Sequence, residues 1–308
     1  MDELLLELQR YQKRNSRKEK NDFIDYLKQK FNKLGFEFNV VKTKLINSVH
    51  FETVSDDNPD IILMAHYDTG TILPCWYEWL IRLTGHTRSI LTALIVLLVF
   101  KLVSLTYNEI IINIFTITVG LSFFIPALFI KNQHTMNDNT SGVMALLLLA
   151  EKIAVDDSLK KRVKIVFTDN EEKILIGSYQ LRKIWEKNGL NYKNAKIISV
   201  DCIGRGEHVI ISYNFVNSIA KELIKVFEKN KIRAKCINMC LVPLSDAYNF
   251  WTTGAVNINM MYKTIIPGGY YIKNIHSYRD KEISKDNIKL IVESLIEYIK
   301  TYTTTQYS

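Results

Sequence analysis

Apolar and polar positions along this chain follow two different periods. Residues 2–34 read as helix, because Phe23, Leu27, Phe31 and Leu34 recur at helical spacing and Gly35 can end the run. Two short strand-like runs follow, at 36–41 and 49–53. Residues 61–65 are Ile-Ile-Leu-Met-Ala, a short continuous apolar run of the kind found in strands buried on both faces. That run ends in His66-Tyr67-Asp68. Further strand-like runs at 163–168, 196–200, 209–213 and 256–261 are interspersed with helical patterns at 174–187, 215–230 and 285–302. The mixture predicts an α/β fold with a central sheet flanked by helices.

One stretch departs from this pattern. Residues 90–107 hold a single charge, Lys101, and residues 110–130 hold none. A bilayer core takes roughly 20 apolar residues per helix. The pattern therefore predicts transmembrane helices at about 89–107 and 110–130, with a tight turn near 104–109. Residues 76–88 include Trp76, Tyr77 and Trp79, side chains suited to a membrane interface. The other reading is a buried helical hairpin, but 110–130 shows no polar face. Arg82, Arg88 and Lys131 flank the near side of the hairpin, while its far turn carries Lys101 and Glu109. The positive-inside rule then predicts a multi-pass protein of the cell membrane with its main domain cytoplasmic.

Composition narrows the picture further. The chain has 308 residues, 47% of them apolar, enough for one sizeable domain with a buried core. Its net charge is +8, which could suit nucleic acid or an anionic membrane surface. No zinc-finger spacing or run of interleaved Arg and aromatic residues supports nucleic acid as a partner. The cysteines Cys75, Cys202, Cys236 and Cys240 form neither a disulfide framework nor a structural zinc motif, and they read as free thiols in a reducing compartment. The N-terminal segment is charged and does not read as a secretory signal.

Five short motifs carry residue types that bind metals. His66-Tyr67-Asp68 lies at a strand end, where an imidazole can bind zinc and a nearby carboxylate can orient it. Asp138, in Asn137-Asp-Asn-Thr-Ser-Gly142, precedes a helix start and equally suits N-capping. Glu171 and Glu172 follow a strand, and such adjacent carboxylates repel unless a cation or solvent separates them. Asp201 directly follows an apolar strand, so it must sit at a sheet edge or be paired. His276 precedes the last helix. Taken singly, each also fits an ordinary turn, cap or structural role.

Their order is more specific. H-x-D, N-D-N-x-S-G, E-E followed by I-G-S, V-D-x-I-G, S-D-x-x-x-F and H-S-x-x-D together resemble the M28 metallopeptidases, over residues 61–70 and about 132–285. The resemblance implies a mixed central β-sheet between helices, as in zinc-dependent exopeptidases, with ligands in loops at the carboxyl edge of the strands. It implies two divalent metal ions, zinc being usual in the family. His66 and Asp201 would hold one metal, Glu172 and His276 the other, and Asp138 would bridge them. Asp68 would orient the site, and Glu171 would act as general base. Two positions depart from the family pattern. Ile275 stands where several relatives have an oxyanion-stabilising Tyr, with Tyr270, Tyr271 and Tyr278 as possible substitutes. Ala247 stands where relatives often have His. His50, His86, His134 and His208 match no motif and read as structural or solvated.

The predicted organisation is a peptidase domain formed by 1–75 and 132–308, interrupted by a membrane insertion at 76–131. Both ends of the insertion emerge from metal-site loops, which would turn the catalytic edge toward the bilayer. The expected function is a membrane-anchored aminopeptidase removing N-terminal residues from peptides at the cytoplasmic membrane face, with peptide and lipid bilayer as partners. One alternative is a glutaminyl-cyclase-like transferase. Enzymes of that kind share the fold, use a single metal and do not need the His66 ligand. The other is an inactive peptidase-like membrane binding protein, although none of the family's ligands is missing here.

Overall fold

The structure is a computed structural model that describes residues 1–104 and 109–304. The strands are β1 (Phe38–Lys42), β2 (Val49–Thr53), β3 (Ile61–His66), β4 (Val163–Thr168), β5 (Lys196–Val200), β6 (His208–Tyr213), β7 (Ala234–Asn238), β8 (Val256–Lys263) and β9 (Tyr270–Tyr271). The helices are α1 (Asp2–Gln9), α2 (Arg17–Lys33), α3 (Cys75–Thr84), α4 (His86–Ser104), α5 (Glu109–Phe129), α6 (Ser141–Ile153), α7 (Asp157–Arg162), α8 (Ile176–Asn188), α9 (Ser218–Lys229) and α10 (Lys285–Thr304).

The strands form one mixed sheet in the order β1-β2-β4-β3-β5-β8-β6-β7, and β9 pairs with β8. Its centre, β4-β3-β5-β8, is parallel. The outer strands β1 and β2 are antiparallel, and β6 runs antiparallel to β8. Side-chain parity on β3 shows how both faces are covered. Ile61, Leu63 and Ala65 join the core that contains Phe31 of α2, Leu146 of α6, Leu223 of α9 and Leu295 of α10. Ile62 and Met64 point the other way, toward Leu181 and Trp185 of α8 and toward Phe250. Two-sided burial is why these strands read as unbroken apolar runs. Their parallel pairing brings the carboxyl ends of β3, β4 and β5 to one edge.

Three sequence expectations need correction. The helix expected over 2–34 is two helices, because Ser16 starts a new one. Its hydroxyl accepts from the Glu19 backbone N–H at 3.3 Å, and the Glu19 carboxylate accepts from the Ser16 N–H at 2.8 Å, a reciprocal cap. The helix expected from 174 begins at Ile176, since Ile174 and Leu175 adopt left-handed backbone angles.

The third correction concerns 76–131. Among the described residues, no helix is long and apolar enough to cross a membrane. The expected transmembrane helices and the multi-pass membrane location, with the cytoplasmic placement read from them, are therefore overturned. The reason lies in the ends of the helices, which are tied to the segments around the sheet. In the first turn of α4, the His86 ring accepts from the Ile272 N–H, Thr87 donates to the Cys240 carbonyl, and Arg88 donates to the Pro267 carbonyl. Beyond that turn α4 runs for about 15 residues, roughly 22 Å against a bilayer core of about 30 Å. In the last turn of α5, the Ala127 carbonyl accepts from Thr71 at 2.6 Å. What results is a helical pair with exposed apolar side chains, including Leu91, Leu98, Ile117 and Leu128. Trp76, expected at an interface, packs on Phe123 of α5 and donates to Ser122. Most of the turn expected at 104–109 lies outside the described residues.

Candidate metal centre

Each candidate ligand sits at the end of an element on the same edge of the sheet. His66 closes β3, Glu171 and Glu172 follow β4, and Asp201 follows β5. Asp138 lies in the turn before α6, and His276 in the loop before α10. Gly70 leaves room for this convergence, because a Cβ there would come within 2.6 Å of the Glu172 carboxylate. Gly177, of the I-G-S motif in the first turn of α8, leaves the same kind of room beside the Asp169 segment. A Cβ there would overlap the Asp169 carbonyl oxygen at 1.6 Å.

The side chains gather into three overlapping groups: His66/Glu171/Glu172, and two further triplets that meet at Asp138. His66 Nε2 lies 3.4 Å from Asp138 Oδ1 and 3.5 Å from Asp201 Oδ1. On the other side of Asp138, His276 Nδ1 is 3.8 Å from Asp138 Oδ2, and His276 Nε2 is 3.6 Å from Glu172 Oε2. Each triplet, His66/Asp138/Asp201 and Asp138/Glu172/His276, offers three ligand atoms all within 4.8 Å of one another. Asp68 stands behind them. It lies 3.5 Å from His66 Nδ1, leaving Nε2 to face the other carboxylates. Its carboxylate also accepts the backbone N–H groups of Glu171 at 3.0 Å and Glu172 at 3.3 Å. Glu171 is buried beside His66 and Glu172.

The electrostatics are those of a crowded acidic site. Burial pushes the Glu171 carboxyl well above its usual range; His66 opposes this and the charge on Glu172 adds to it. Burial and the charge on Asp138 do the same to Glu172. For Asp138, burial acts upward, but the contact with His66 and the charge on His276 outweigh it and hold it low. Burial alone would depress the His66 imidazole, yet Glu171 and the contacts to Asp138, Asp201 and Asp68 raise it. Two carboxylate oxygens, Glu172 Oε1 and Asp201 Oδ1, are buried without a hydrogen-bond partner. Buried, unpaired anionic oxygens are costly unless a cation or proton meets them. The donor set of imidazoles and carboxylates fits divalent zinc, with three ligands available on either side of Asp138.

Sequence reasoning assigned no role to several residues at this site. Asp280 is fully buried, and its carboxylate accepts the backbone N–H of Asn137 and of Asp138, both at 2.9 Å, which fixes the loop that carries Asp138. Burial raises its carboxyl to about 7. Asp246 is buried and accepts from the Thr168 hydroxyl, and burial raises it to about 6. Both belong to the quoted motifs H-S-x-x-D and S-D-x-x-x-F, the one signal that could have found them. Lys20 of α2 pairs with Asp169 and donates to Asn170 at 2.9 Å, anchoring the loop that leads to Glu171.

The residues outside the motifs occupy ordinary structural places. His50 accepts from the Asp169 N–H and is pushed down to about 3 by burial. Burial pushes His86 down to about 3 as well. Ile275 joins a small apolar cluster with Cys202 and Val242. Tyr270 packs on His208 and Tyr271 on Tyr262, whereas Tyr278 is exposed beside Arg279. Ala247 is buried in the core against α8.

A mixed α/β sheet carrying these imidazoles and carboxylates at its carboxyl edge defines the metallopeptidase class. Residues 121–299 match peptidase family M28, and the chain belongs to that family. No curated protein matches the chain. Solved structures share the fold at low identity. The LapA aminopeptidase of Legionella pneumophila superposes with a TM-score of 0.66 at 14% identity, covering 98% of this chain and 68% of its own. A glutaminyl cyclase of Bacteroides thetaiotaomicron gives 0.62 at 16% identity, covering 96% of this chain and 94% of its own. A Zn-dependent exopeptidase of Parabacteroides distasonis gives 0.62 at 13% identity, with the same two coverages of 96% and 94%.

Proposed function

We propose that this chain is a two-metal aminopeptidase that hydrolyses the first peptide bond of peptide substrates. The observation that carries this reading is Asp138 facing both ligand triplets at once. In this reading His66 and Asp201 hold one zinc ion, Glu172 and His276 the other, and Asp138 bridges them. The peptidase domain comprises 1–75 and 132–308, and 76–131 is an insertion. Bound zinc would supply Lewis acidity, polarising the scissile carbonyl and making a water easier to deprotonate.

The remaining chemistry belongs to the protein. Glu171 accepts a proton from the attacking water as the new C–O bond forms. It returns the proton to the amide nitrogen as the C–N bond breaks, so that an amine leaves. Asp68 holds the Glu171 N–H and the His66 ring, keeping both groups in register. Burial of Glu171 raises its proton affinity, which suits a group that must take and then release a proton near neutral pH.

A glutaminyl-cyclase-like activity is the second reading, favoured by structural neighbours of that kind. His66, buried among three carboxylates, favours two metals over one. A single experiment separates the two. Purified protein is incubated with a peptide library, with and without chelator, and products are read by mass. The expected result is release of N-terminal residues that chelator stops and zinc restores. Loss of ammonia from N-terminal glutamine, with no residue released, would establish the cyclase reading instead.

A further inference from the structure

We propose that Arg14, in the break between α1 and α2, is a positioning residue that fixes the distance between two of the segments carrying candidate metal ligands, the one with His66 and the one with Asp138. The proposal rests on the metal-site reading above. Arg14 is completely buried although it lies far from the motifs in sequence. Its guanidinium reaches three separate segments. Nε donates to the carbonyl of Tyr67, which lies between His66 and Asp68. Nη2 donates to Thr140 Oγ1 at 3.0 Å, two residues after Asp138. Nη1 donates to the Tyr11 carbonyl at 2.6 Å. The Arg14 backbone N–H also donates to Thr69 Oγ1 at 3.2 Å. One rigid, planar fork thus ties the H-x-D loop to the N-D-N-T-S-G loop.

The energetics explain why such a tie is needed. Asp68 and Asp138 sit on different loops, and their charges repel in a buried site. No carboxylate lies within ion-pair distance of Arg14 among the described residues, and burial is the largest influence on the guanidinium, lowering it to about 10. Asp68 and Asp138 are the carboxylates whose charges act on it, with Tyr67 beside them and the Phe23 ring 5.1 Å from the guanidinium. The fork directs this charge through fixed hydrogen bonds. Lysine would keep the charge but present a single flexible donor in place of the planar fork.

The test uses Arg14→Lys and Arg14→Met in the full chain. Zinc affinity is measured by chelator competition, the Co²⁺-loaded protein by its visible spectrum, and melting temperature with and without zinc. Arg14→Lys is expected to weaken zinc binding about 10- to 100-fold, the range for loss of groups that orient ligands. It should also alter the cobalt band and shrink the rise in melting temperature that zinc produces. Wild-type zinc affinity and an unchanged cobalt band in Arg14→Lys would overturn the proposal, even with a lower metal-free melting temperature. So would a loss confined to Arg14→Met, because charge alone would then suffice. Should neither variant fold, Thr140→Val removes one acceptor of the fork while keeping Arg14, and it is expected to weaken zinc binding in the same direction. Unchanged affinity there would overturn the proposal equally. A wild-type protein that binds no zinc would instead refute the metal-site reading on which this proposal stands.

Discussion

Glu171→Gln is expected to lower kcat by about 10²–10⁴-fold while leaving bound metal in place. The substitution keeps the size of the side chain and its backbone bond to Asp68. It removes only the ability to take a proton. Glutamine cannot accept the water's proton or return it to the leaving nitrogen, so the chemical step should slow while substrate binding changes little. In kinetic terms kcat and kcat/KM should fall together, with KM nearly constant. Metal analysis of the same preparation must show the wild-type content. Turnover within tenfold of wild type would mean that another group carries the proton.

The second large effect is expected at Asp138. It is the one carboxylate common to both ligand triplets. Asp138→Ala should therefore lose both metals and reduce activity to the level of the chelated enzyme. His276→Ala belongs to one triplet and should retain one metal. The two variants also differ in melting behaviour. Zinc should raise the melting temperature of His276→Ala by part of the wild-type increment, and that of Asp138→Ala scarcely at all. Equal metal loss in both variants would place the bridge elsewhere.

The sheet was legible in the sequence because its central strands are buried on both faces. Residues 61–66, 163–168 and 196–200 contribute side chains to cores on opposite sides, so their apolar runs stand out. The candidate site was legible in part for a related reason, since His66 and Asp201 stand at the ends of such runs, where a polar side chain lies at the sheet edge. Other features left weaker local signals. The edge strand β7, Ala-Lys-Cys-Ile-Asn, has no fully buried residue, so burial imposes no alternation on it. The break before α2 depends on Ser16 and Glu19, whose reciprocal cap outweighed a helical pattern of apolar spacing. Arg14 bonds Thr140 and Asp280 bonds Asp138, each pair more than a hundred positions apart, which no spacing rule encodes.

The segment 76–131 misled for a different reason. Hydropathy reports how readily side chains leave water, not how much of a helix remains once its ends are bound to a domain. The same tied ends relate the segment to the metal centre. The Leu73 N–H donates to the His276 carbonyl at 2.8 Å, and Thr71 pairs with Lys131 where the chain leaves and re-enters. Residues 71–73 and 131 are thus part of the frame that holds His276.

Diffraction from crystals of the zinc-loaded protein, recorded at the zinc absorption edge, tests the central claim most directly. Two anomalous peaks are expected about 3.5–4 Å apart, one among His66, Asp138 and Asp201 and the other among Asp138, Glu172 and His276. A single peak, or none beside Asp138, would contradict the two-metal account.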